Sequence, residues 1–271
     1  MFEEFFSLEV KPFSKTPDPR FLFLSRSHEE ALARLQYAVE EKELVVLTGE
    51  IGCGKTTLTR ALIDSLGEKH RVVLIINPRL TPSQFLRVVA RRFEIEVSSS
   101  KDDLLEAIYN KVYEDYEAGI TPVIIIDEAQ LIPNKDTFEE IRLLTNFQLD
   151  DTNLISLVLV GQTDLRRRLN HKAYQPLRQR IGLFFHLGPL GPEEMRGYTD
   201  HRLQVAGRSE QLFTEGALKT LYSYSGGVPR IINSLATTAL LEGFGAGRGV
   251  IDESLIEAAA RELGFTELRN N

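Results

Sequence analysis

The sequence predicts an α/β protein with a parallel five-stranded sheet covered by helices, followed by a small all-helical domain. Five short aliphatic runs alternate with segments of helical periodicity between residues 27 and 190. Each run is apolar on both faces, which is typical of parallel strands buried beneath helices on both sides. After Gly191 no further run of this kind occurs, and apolar positions recur at helical spacing.

The N-terminal residues 1–26 are expected to form an arm and linker that pack against the body of the protein. A turn-forming segment, Thr16-Pro17-Asp18-Pro19, follows a group of aromatic residues without clear period. Helical spacing then begins at Ser27 and continues to Glu41. The aromatic residues are Phe2, Phe5, Phe6 and Phe13.

Residues 27–190 are assigned to the α/β core, whose strands and helices alternate along the chain. The predicted strands are Leu44–Thr48, Arg71–Ile76, Pro122–Ile126, Leu154–Val160 and Leu183–Leu187. The predicted helices between them are Thr56–Leu66, Pro82–Phe93, Asp102–Glu117 and Thr137–Phe147.

A helical lid is predicted over residues 191–264, with a flexible tail at 265–271. Two of its helices have clear start signals, because Thr214 precedes Glu215 and Asp252 precedes Glu253. The predicted lid helices are Pro192–Ala206, Thr214–Ser223, Val228–Glu242 and Asp252–Leu263.

Net charge, cysteine content and the lengths of the apolar runs indicate the cellular compartment. The formal net charge is −7, which does not favour indiscriminate nucleic-acid binding but leaves room for a local basic patch. The single cysteine, Cys53, has no partner for an internal disulfide. The acidic, aromatic N-terminus lacks the features of a signal peptide, and no apolar run approaches the ~18 to 20 residues of a membrane helix. We therefore expect a cytoplasmic protein without a membrane span.

A phosphate-binding loop lies between the first predicted strand and the helix after it. Its sequence fits G-x-x-x-x-G-K-[ST], in which backbone N–H groups surround the phosphates of a nucleotide. Lys55 is expected to reach the β- and γ-phosphates of ATP, and the Thr56 hydroxyl to bind Mg²⁺. Cys53 occupies a variable position, where a filling role is favoured over a redox role. The predicted ATP-binding residues are Gly49, Glu50, Ile51, Gly52, Cys53, Gly54, Lys55, Thr56 and Thr57.

Two acidic residues, Asp127 and Glu128, follow the third predicted strand. Ligands of open parallel sheets gather at the carboxyl ends of strands, so this pair is expected near the phosphate loop. We predict that Asp127 binds Mg²⁺ through its water shell and that Glu128 polarises the water that attacks ATP. Such a glutamate favours hydrolysis over slow switching.

Gln162 follows the fourth predicted strand. Its amide is placed to bind either the γ-phosphate or the attacking water. The alternative is a turn residue without a catalytic role.

A stretch from Leu165 to Pro192 contains no acidic residue. Three interpretations stay open: a solvated basic face, an arginine finger at Arg180 that acts on a neighbouring subunit, or a surface formed by Arg166–Arg168 for an acidic partner or nucleic-acid phosphates. Its basic residues are Arg166, Arg167, Arg168, Lys172, Arg178 and Arg180.

A further arginine, Arg230, is predicted in the first turn of a lid helix, where the helix dipole disfavours a cation. That placement suggests that a bound anion lies near Arg230.

Together these motifs resemble the AAA+ P-loop ATPases of the ExeA/GspA (general secretion pathway protein A-like) group, over about residues 1–264. The phosphate loop and the acidic motif are shared by many ATPases, whereas the N-terminal signature and the Gly-Gly-Val-Pro-Arg segment are specific to the group. The matching segments are Phe5-Phe6, Lys11-Pro12-Phe13, Thr16-Pro17-Asp18-Pro19, Phe21-Leu22-Phe23-Leu24-Ser25, Gly49–Thr56, Ile126-Asp-Glu-Ala-Gln130, Val160-Gly-Gln162, Leu177-Arg-Gln-Arg-Ile181 and Ser225-Gly-Gly-Val-Pro-Arg230.

The resemblance implies roles for residues outside the two phosphate motifs. Gln162 would be sensor 1, Arg230 sensor 2, and Arg180 the arginine finger, with Arg178 as the second choice. It also implies self-association into a ring or filament with ATP at subunit interfaces. The segment from Leu24 to His28 would lie near the adenine.

Relatives of this group commonly continue into a membrane helix and a periplasmic peptidoglycan-binding domain. The sequence ends after the predicted lid, so we expect a fragment or a stand-alone relative, of a build similar to the TnsC and MuB proteins of DNA transposition. The expected function is an ATPase for assembly of a secretion or pilus apparatus. The alternatives are an ATP-dependent regulator that contacts transposase and target DNA, or a slow, nucleotide-gated scaffold.

Overall fold

A computed structural model describes residues 1–14, 18–97, 100–150 and 152–267. The chain forms two compact units. One, here the sheet unit, comprises Glu30–Glu50 and Thr59–Leu187. The other, here the helical unit, comprises Met1–Glu29, Ile51–Leu58 and Gly188–Asn271. Lys15, Thr16 and Pro17 of the predicted turn, and residues 268–271 of the predicted tail, lie outside the described residues.

The sheet unit is built on a five-stranded parallel sheet, as predicted. Its strand order is β2-β3-β4-β1-β5, so β1 lies between β4 and β5. The strands are β1 Leu44–Gly49, β2 His70–Ile75, β3 Thr121–Ile126, β4 Ser156–Gly161 and β5 Ile181–Leu187.

Helices occupy most of the remaining described chain. They are α1 Phe2–Phe5, α2 Arg26–Glu40, α3 Lys55–Ser65, α4 Pro82–Arg92, α5 Lys101–Glu117, α6 Lys135–Leu144, α7 Thr163–Leu169, α8 Gln175–Arg178, α9 Met195–Val205, α10 Glu215–Ser225, α11 Pro229–Gly245 and α12 Glu253–Leu263. Side-chain caps start several of them, with Asn134 before α6, Thr214 before α10 and Asp252 before α12.

Burial explains the strand positions. Every residue of β1 and β4 is buried, as a strand covered on both faces requires. The core of the sheet unit joins these strands to apolar side chains of α4, α5 and α6, among them Phe85, Ile108 and Phe138. Two predicted strand boundaries were wrong by two residues: β4 begins at Ser156 and β5 at Ile181. The helix predicted over Thr137–Phe147 runs instead from Lys135 to Leu144.

The helical unit has a second core, to which the N-terminal arm contributes. Phe2, Phe6 and Phe13 are buried there among residues of α9 to α12. Phe5, by contrast, is exposed. The arm is also held by hydrogen bonds from a buried arginine, since Arg202 Nε donates to the carbonyl oxygen of Pro12 at 2.7 Å.

Within the described chain, no helix is both long enough and sufficiently apolar to span a membrane.

Candidate functional site

The phosphate loop leaves the carboxyl end of β1 and enters the first turn of α3. Gly49 is the last residue of β1 and pairs with Leu187 of β5. In the following segment Glu50 and Ile51 are exposed and Cys53 is buried. Gly52 and Gly54 have φ angles of 88° and 95°, a left-handed backbone that other residues adopt at a cost. Alternating handedness of this kind turns successive N–H groups toward a common anion.

Gly52 is also sterically confined. A Cβ at this position would lie 2.6 Å from Cβ of Arg230, closer than real carbon atoms approach. The backbone N–H of Arg230 donates to the carbonyl oxygen of Gly52 at 3.2 Å. The structure therefore places the first turn of α11 against the phosphate loop within the helical unit. The side chain of Arg230 is exposed.

His28 is a second neighbour of the loop. Its Nε2 lies 3.0 Å from the carbonyl oxygen of Cys53, and its Nδ1 lies 2.7 Å from Oγ of Ser25. Burial of the ring lowers the pKa of His28, which favours the neutral form. A carbonyl only accepts, so Nε2 carries the proton and donates to Cys53, while Nδ1 accepts from Ser25. The sequence resemblance had placed His28 near the adenine, and it did not anticipate this bond to the loop.

Helix α3 begins with the residues predicted to bind phosphate and magnesium. Lys55 is its first residue, and its side chain is largely buried, with 7% exposed. Thr56 and Thr57 follow in the first turn, where backbone N–H groups lack intrahelical acceptors. Such a helix start attracts anions. The Lys55 ammonium and the N–H groups of the helix start fit a nucleotide phosphate. The Thr56 hydroxyl fits its bound Mg²⁺, because one or two protein oxygens suffice for that ion.

The acidic pair occupies the chain immediately after β3. The Asp127 N–H donates to the carbonyl oxygen of Ile75 at 2.9 Å, which extends the pairing between β2 and β3 by one bond. Its carboxylate accepts from the N–H of Glu128 at 2.8 Å. Glu128 has a φ of 55°, a left-handed conformation that costs a non-glycine residue about 1–3 kcal/mol. Strain of this kind points to a residue whose position matters.

Two amide side chains meet the Glu128 carboxylate. Gln162 Nε2 donates to Oε2 of Glu128 at 3.3 Å, and Gln130 Nε2 donates to the same oxygen. Gln130 Oε1 in turn accepts the backbone N–H of Gln162 at 3.0 Å. The structure thus brings together Glu128 and Gln162, two predicted site residues. It adds Gln130, whose only sequence signal was its place in the Asp-Glu-Ala-Gln motif.

Strand register explains why these groups meet. Ile126 pairs with Leu159, and Thr48 pairs with Gly161, so β3, β4 and β1 end at the same edge of the sheet. Asp127 leaves β3 at this edge, and Gln162 leaves β4 there. The chain that continues into the phosphate loop leaves β1 at the same edge.

Arg180 lies at the opposite edge of the sheet. It precedes Ile181, which pairs with Leu44, the first residue of β1. The six residues of β1 span about 20 Å at ~3.3 Å each, so Arg180 and the carboxyl edge are far apart within one chain. The exposed Arg180 guanidinium donates to Oδ1 of Asn146 at 2.9 Å. Arg178 lies over the ring of Phe184, 4.1 Å from its centre.

The three consecutive arginines of the acid-free stretch do not form one uniform basic surface. Arg167 forms an exposed ion pair with Asp164, just before the stretch begins. Arg168 donates to the carbonyl oxygen of Ile132 and stacks on the rings of Phe138 and Tyr174. Arg166 is exposed. Arg168 therefore has a packing role that the sequence did not reveal.

Comparison with known proteins shows which sequences this chain is similar to. Residues 38–169 match the family of the AAA domain. General secretion pathway protein A of Aeromonas hydrophila is 38% identical over 267 residues, which are 97% of this chain and 48% of that relative. The chain thus spans about half the length of that curated relative, at 48%. The resemblance inferred from the sequence motifs is confirmed.

Solved structures share the fold at lower sequence identity. The ORC2 protein of Aeropyrum pernix, in its ADPNP–ADP complexes, is 20% identical with a TM-score of 0.69, and the match covers 96% of this chain and 73% of that one. The RuvB Holliday junction branch migration motor of Thermotoga maritima is 20% identical with a TM-score of 0.60, over 89% and 70% of the two chains. Cdc6p of Pyrobaculum aerophilum is 17% identical with a TM-score of 0.63, over 96% and 70%. The predicted AAA+ fold class is therefore confirmed.

The packing at Gly52 gives a test of the loop. Gly52→Ala should weaken ATP binding by about tenfold or more, roughly 1.4 kcal/mol, because the new Cβ meets Arg230 and the left-handed φ is strained. The measurement is titration with a fluorescent ATP analogue. Gly67→Ala is the matched control, since no atom lies within 4 Å of its added Cβ. Equal affinity in the two variants would contradict the tight packing of the loop.

Proposed function

The chain carries an AAA domain and is a relative of general secretion pathway protein A, and we propose that it binds Mg·ATP and hydrolyses it. The observation that carries this proposal is the phosphate loop, with its left-handed Gly52 and Gly54 leading from β1 into α3. The loop provides inward N–H groups, a buried lysine and a helix start in one continuous segment. We propose that this activity is cytoplasmic, because ATP is available there.

Lys55 and the N–H groups of the loop hold the phosphates of ATP in this proposal. The ammonium group of Lys55 faces the β- and γ-phosphates. The Thr56 hydroxyl would bind Mg²⁺ directly and the Asp127 carboxylate would hold it through its water shell. The ion would neutralise charge on the γ-phosphate during its transfer. Arg230 has its backbone bonded to Gly52 and its side chain exposed, an arrangement that supports a role in sensing the phosphates.

Glu128 accepts a proton from the attacking water in the hydrolysis step. The water oxygen forms a bond to the γ-phosphorus, and the bond from that phosphorus to the β,γ-bridging oxygen breaks. ADP and inorganic phosphate are the products. The amide donors on Oε2 orient the carboxylate, which leaves its other oxygen to face the water. Gln162 contributes one of these donors and follows the strand beside β3, in keeping with its predicted sensor role.

Arg180 is proposed to act on the nucleotide of a neighbouring subunit. The sheet supports this assignment, because Arg180 lies at the amino edge while the loop leaves the carboxyl edge. A side chain of ~7 Å cannot bridge about 20 Å within the same sheet. Hydrolysis between subunits then requires self-association into a ring or filament.

The proposed biological role is to drive assembly or remodelling of a secretion or pilus-type apparatus. Its support is the relationship to general secretion pathway protein A over 97% of this chain. One observation favours a second role, as an ATP-dependent DNA-binding regulator of transposition. The acid-free stretch exposes Arg166, Lys172 and Arg178, which are suited to phosphate contacts.

The phosphate loop is tested by Lys55→Ala. Loss of the only loop ammonium should reduce ATP affinity or turnover roughly 100-fold, the scale of removing one charged contact to a reacting phosphate. Calorimetric titration with ATP and a phosphate-release assay separate the two effects. Lys69→Ala, an exposed lysine before β2, is the control. Normal binding and turnover in Lys55→Ala would rule out the assigned loop.

The action of Arg180 between subunits is tested by mixing variants. Arg180→Ala should still bind ATP but lose about 10³ to 10⁵ in turnover. Mixing it with Lys55→Ala should restore part of the rate, because some interfaces then pair an intact loop with an intact arginine. Arg261→Ala, on the exposed side of α12, should behave as wild type. Normal turnover in Arg180→Ala would contradict the assignment, and loss of turnover in Arg178→Ala instead would transfer the role to Arg178.

The two biological roles are separated by the ATPase rate with and without duplex DNA. For the secretion role the rate should not change with DNA at any salt concentration. Stimulation of the rate by DNA would support the DNA-binding role if it weakens between about 50 and 200 mM salt. Release of counterions from the DNA should lower the affinity for DNA roughly tenfold or more over that range. In that case Arg166→Ala should reduce the stimulation and leave the rate without DNA unaltered.

A further inference from the structure

We propose that Gln130 is a positioning residue for ATP hydrolysis, because it holds Glu128 at a fixed place against the end of β4. This inference rests on the proposed ATPase function and concerns the residue that orients its water-activating group. Gln130 lies two residues after Glu128, in the short 3₁₀ turn Ala129–Leu131. Its side chain links the ends of two strands, since it contacts Glu128, which lies two residues after β3, and Gln162, which follows β4 directly.

The direction of the Gln130 amide follows from its partners. The backbone N–H of Gln162 can only donate, so the atom 3.0 Å away must be Oε1 of Gln130. The other end of the amide is then the NH₂ group, and it faces the Glu128 carboxylate as a donor. A flipped amide would lose both bonds and set an oxygen against a carboxylate. The Gln130 amide is therefore fixed at both ends.

Gly161 makes room for this side chain. A Cβ at Gly161 would lie 2.8 Å from Oε1 of Gln130 and 2.8 Å from Cδ2 of Leu165. A side chain at this last position of β4 would displace the Gln130 amide or the packing of α7. The bare backbone of Gly161 thus permits the amide to approach the chain that carries Gln162.

Removing the Gln130 amide affects the site at two points. Glu128 loses a donor to Oε2 and keeps only the longer bond from Gln162, at 3.3 Å. The N–H of Gln162 loses its acceptor, so the end of β4 is less well fixed. Glu128 has a left-handed φ and depends on such contacts to keep one orientation. Phosphate binding, by contrast, depends on the loop between β1 and α3.

The proposal predicts a separation of turnover from binding. Gln130→Met keeps the length of the side chain and removes both hydrogen bonds, so kcat should fall about tenfold or more while KM for ATP stays within about twofold. Gln130→Asn keeps the amide but is one methylene shorter. Its kcat should lie between that of the wild type and that of Gln130→Met. Urea unfolding of each variant checks the fold, and the Asn variant carries the test if the Met variant unfolds. Gln204→Met, an exposed glutamine of α9, is the control.

A double variant tests whether Gln130 acts through Glu128. In a Glu128→Gln background, measured by single-turnover hydrolysis of radiolabelled ATP, Gln130→Met should lower the residual rate by less than about twofold. A further tenfold loss would overturn the proposal, as would a normal or raised kcat in Gln130→Met alone, or a raised KM with unchanged kcat. An inactive wild-type chain would instead refute the ATPase function itself, and the inference with it. Wild-type activity with an unaffected Gln130→Met variant would refute the positioning role alone.

Discussion

Parallel pairing of β4 with both β1 and β3 is the constraint on which the candidate site depends. Because the three strands run in the same direction and end together, residues distant in sequence leave the sheet at one edge. Register matters as much as direction, since a slip of one residue would turn every buried side chain of a strand toward the other face. Every residue of β1 and β4 is buried, so a slip would also force the side chains on both faces of a strand to repack.

The sheet could be predicted because each of its five strands is recognisable from its own segment of sequence, as an aliphatic run flanked by polar residues. Helices α6, α10 and α12 likewise carry their own start signals in Asn134, Thr214 and Asp252. The packing role of Arg168 was not recognised, because its partner Ile132 precedes it by 36 residues. The same reason hid His28 and Gln130, whose partners lie 25 and 32 residues away along the chain.

The two edges of the sheet carry opposite chemistry. Carboxylates and amides, represented by Glu128 and Gln162, follow the carboxyl ends, whereas Arg178 and Arg180 precede β5 at its amino end. Hydrogen bonding to Asn146 and stacking on Phe184 keep these arginines in place without an ion pair of their own among the described contacts. A guanidinium held in this way stays charged and solvated, which costs little until it meets a phosphate. The polarity of parallel strands thus places Glu128 and Arg180 at opposite edges of the sheet.

The second core has a consequence for the order of events during synthesis. Three of its buried phenylalanines, Phe2, Phe6 and Phe13, come from the N-terminal arm, yet Arg202, which bonds to Pro12, lies 190 residues later. At ~5–20 residues per second, a ribosome needs roughly 10 to 40 seconds to cover that separation. These aromatic side chains therefore stay unburied until α9 to α12 emerge, while the sheet can already form between the two. The helical unit can therefore close only after the strands of the sheet unit have been made.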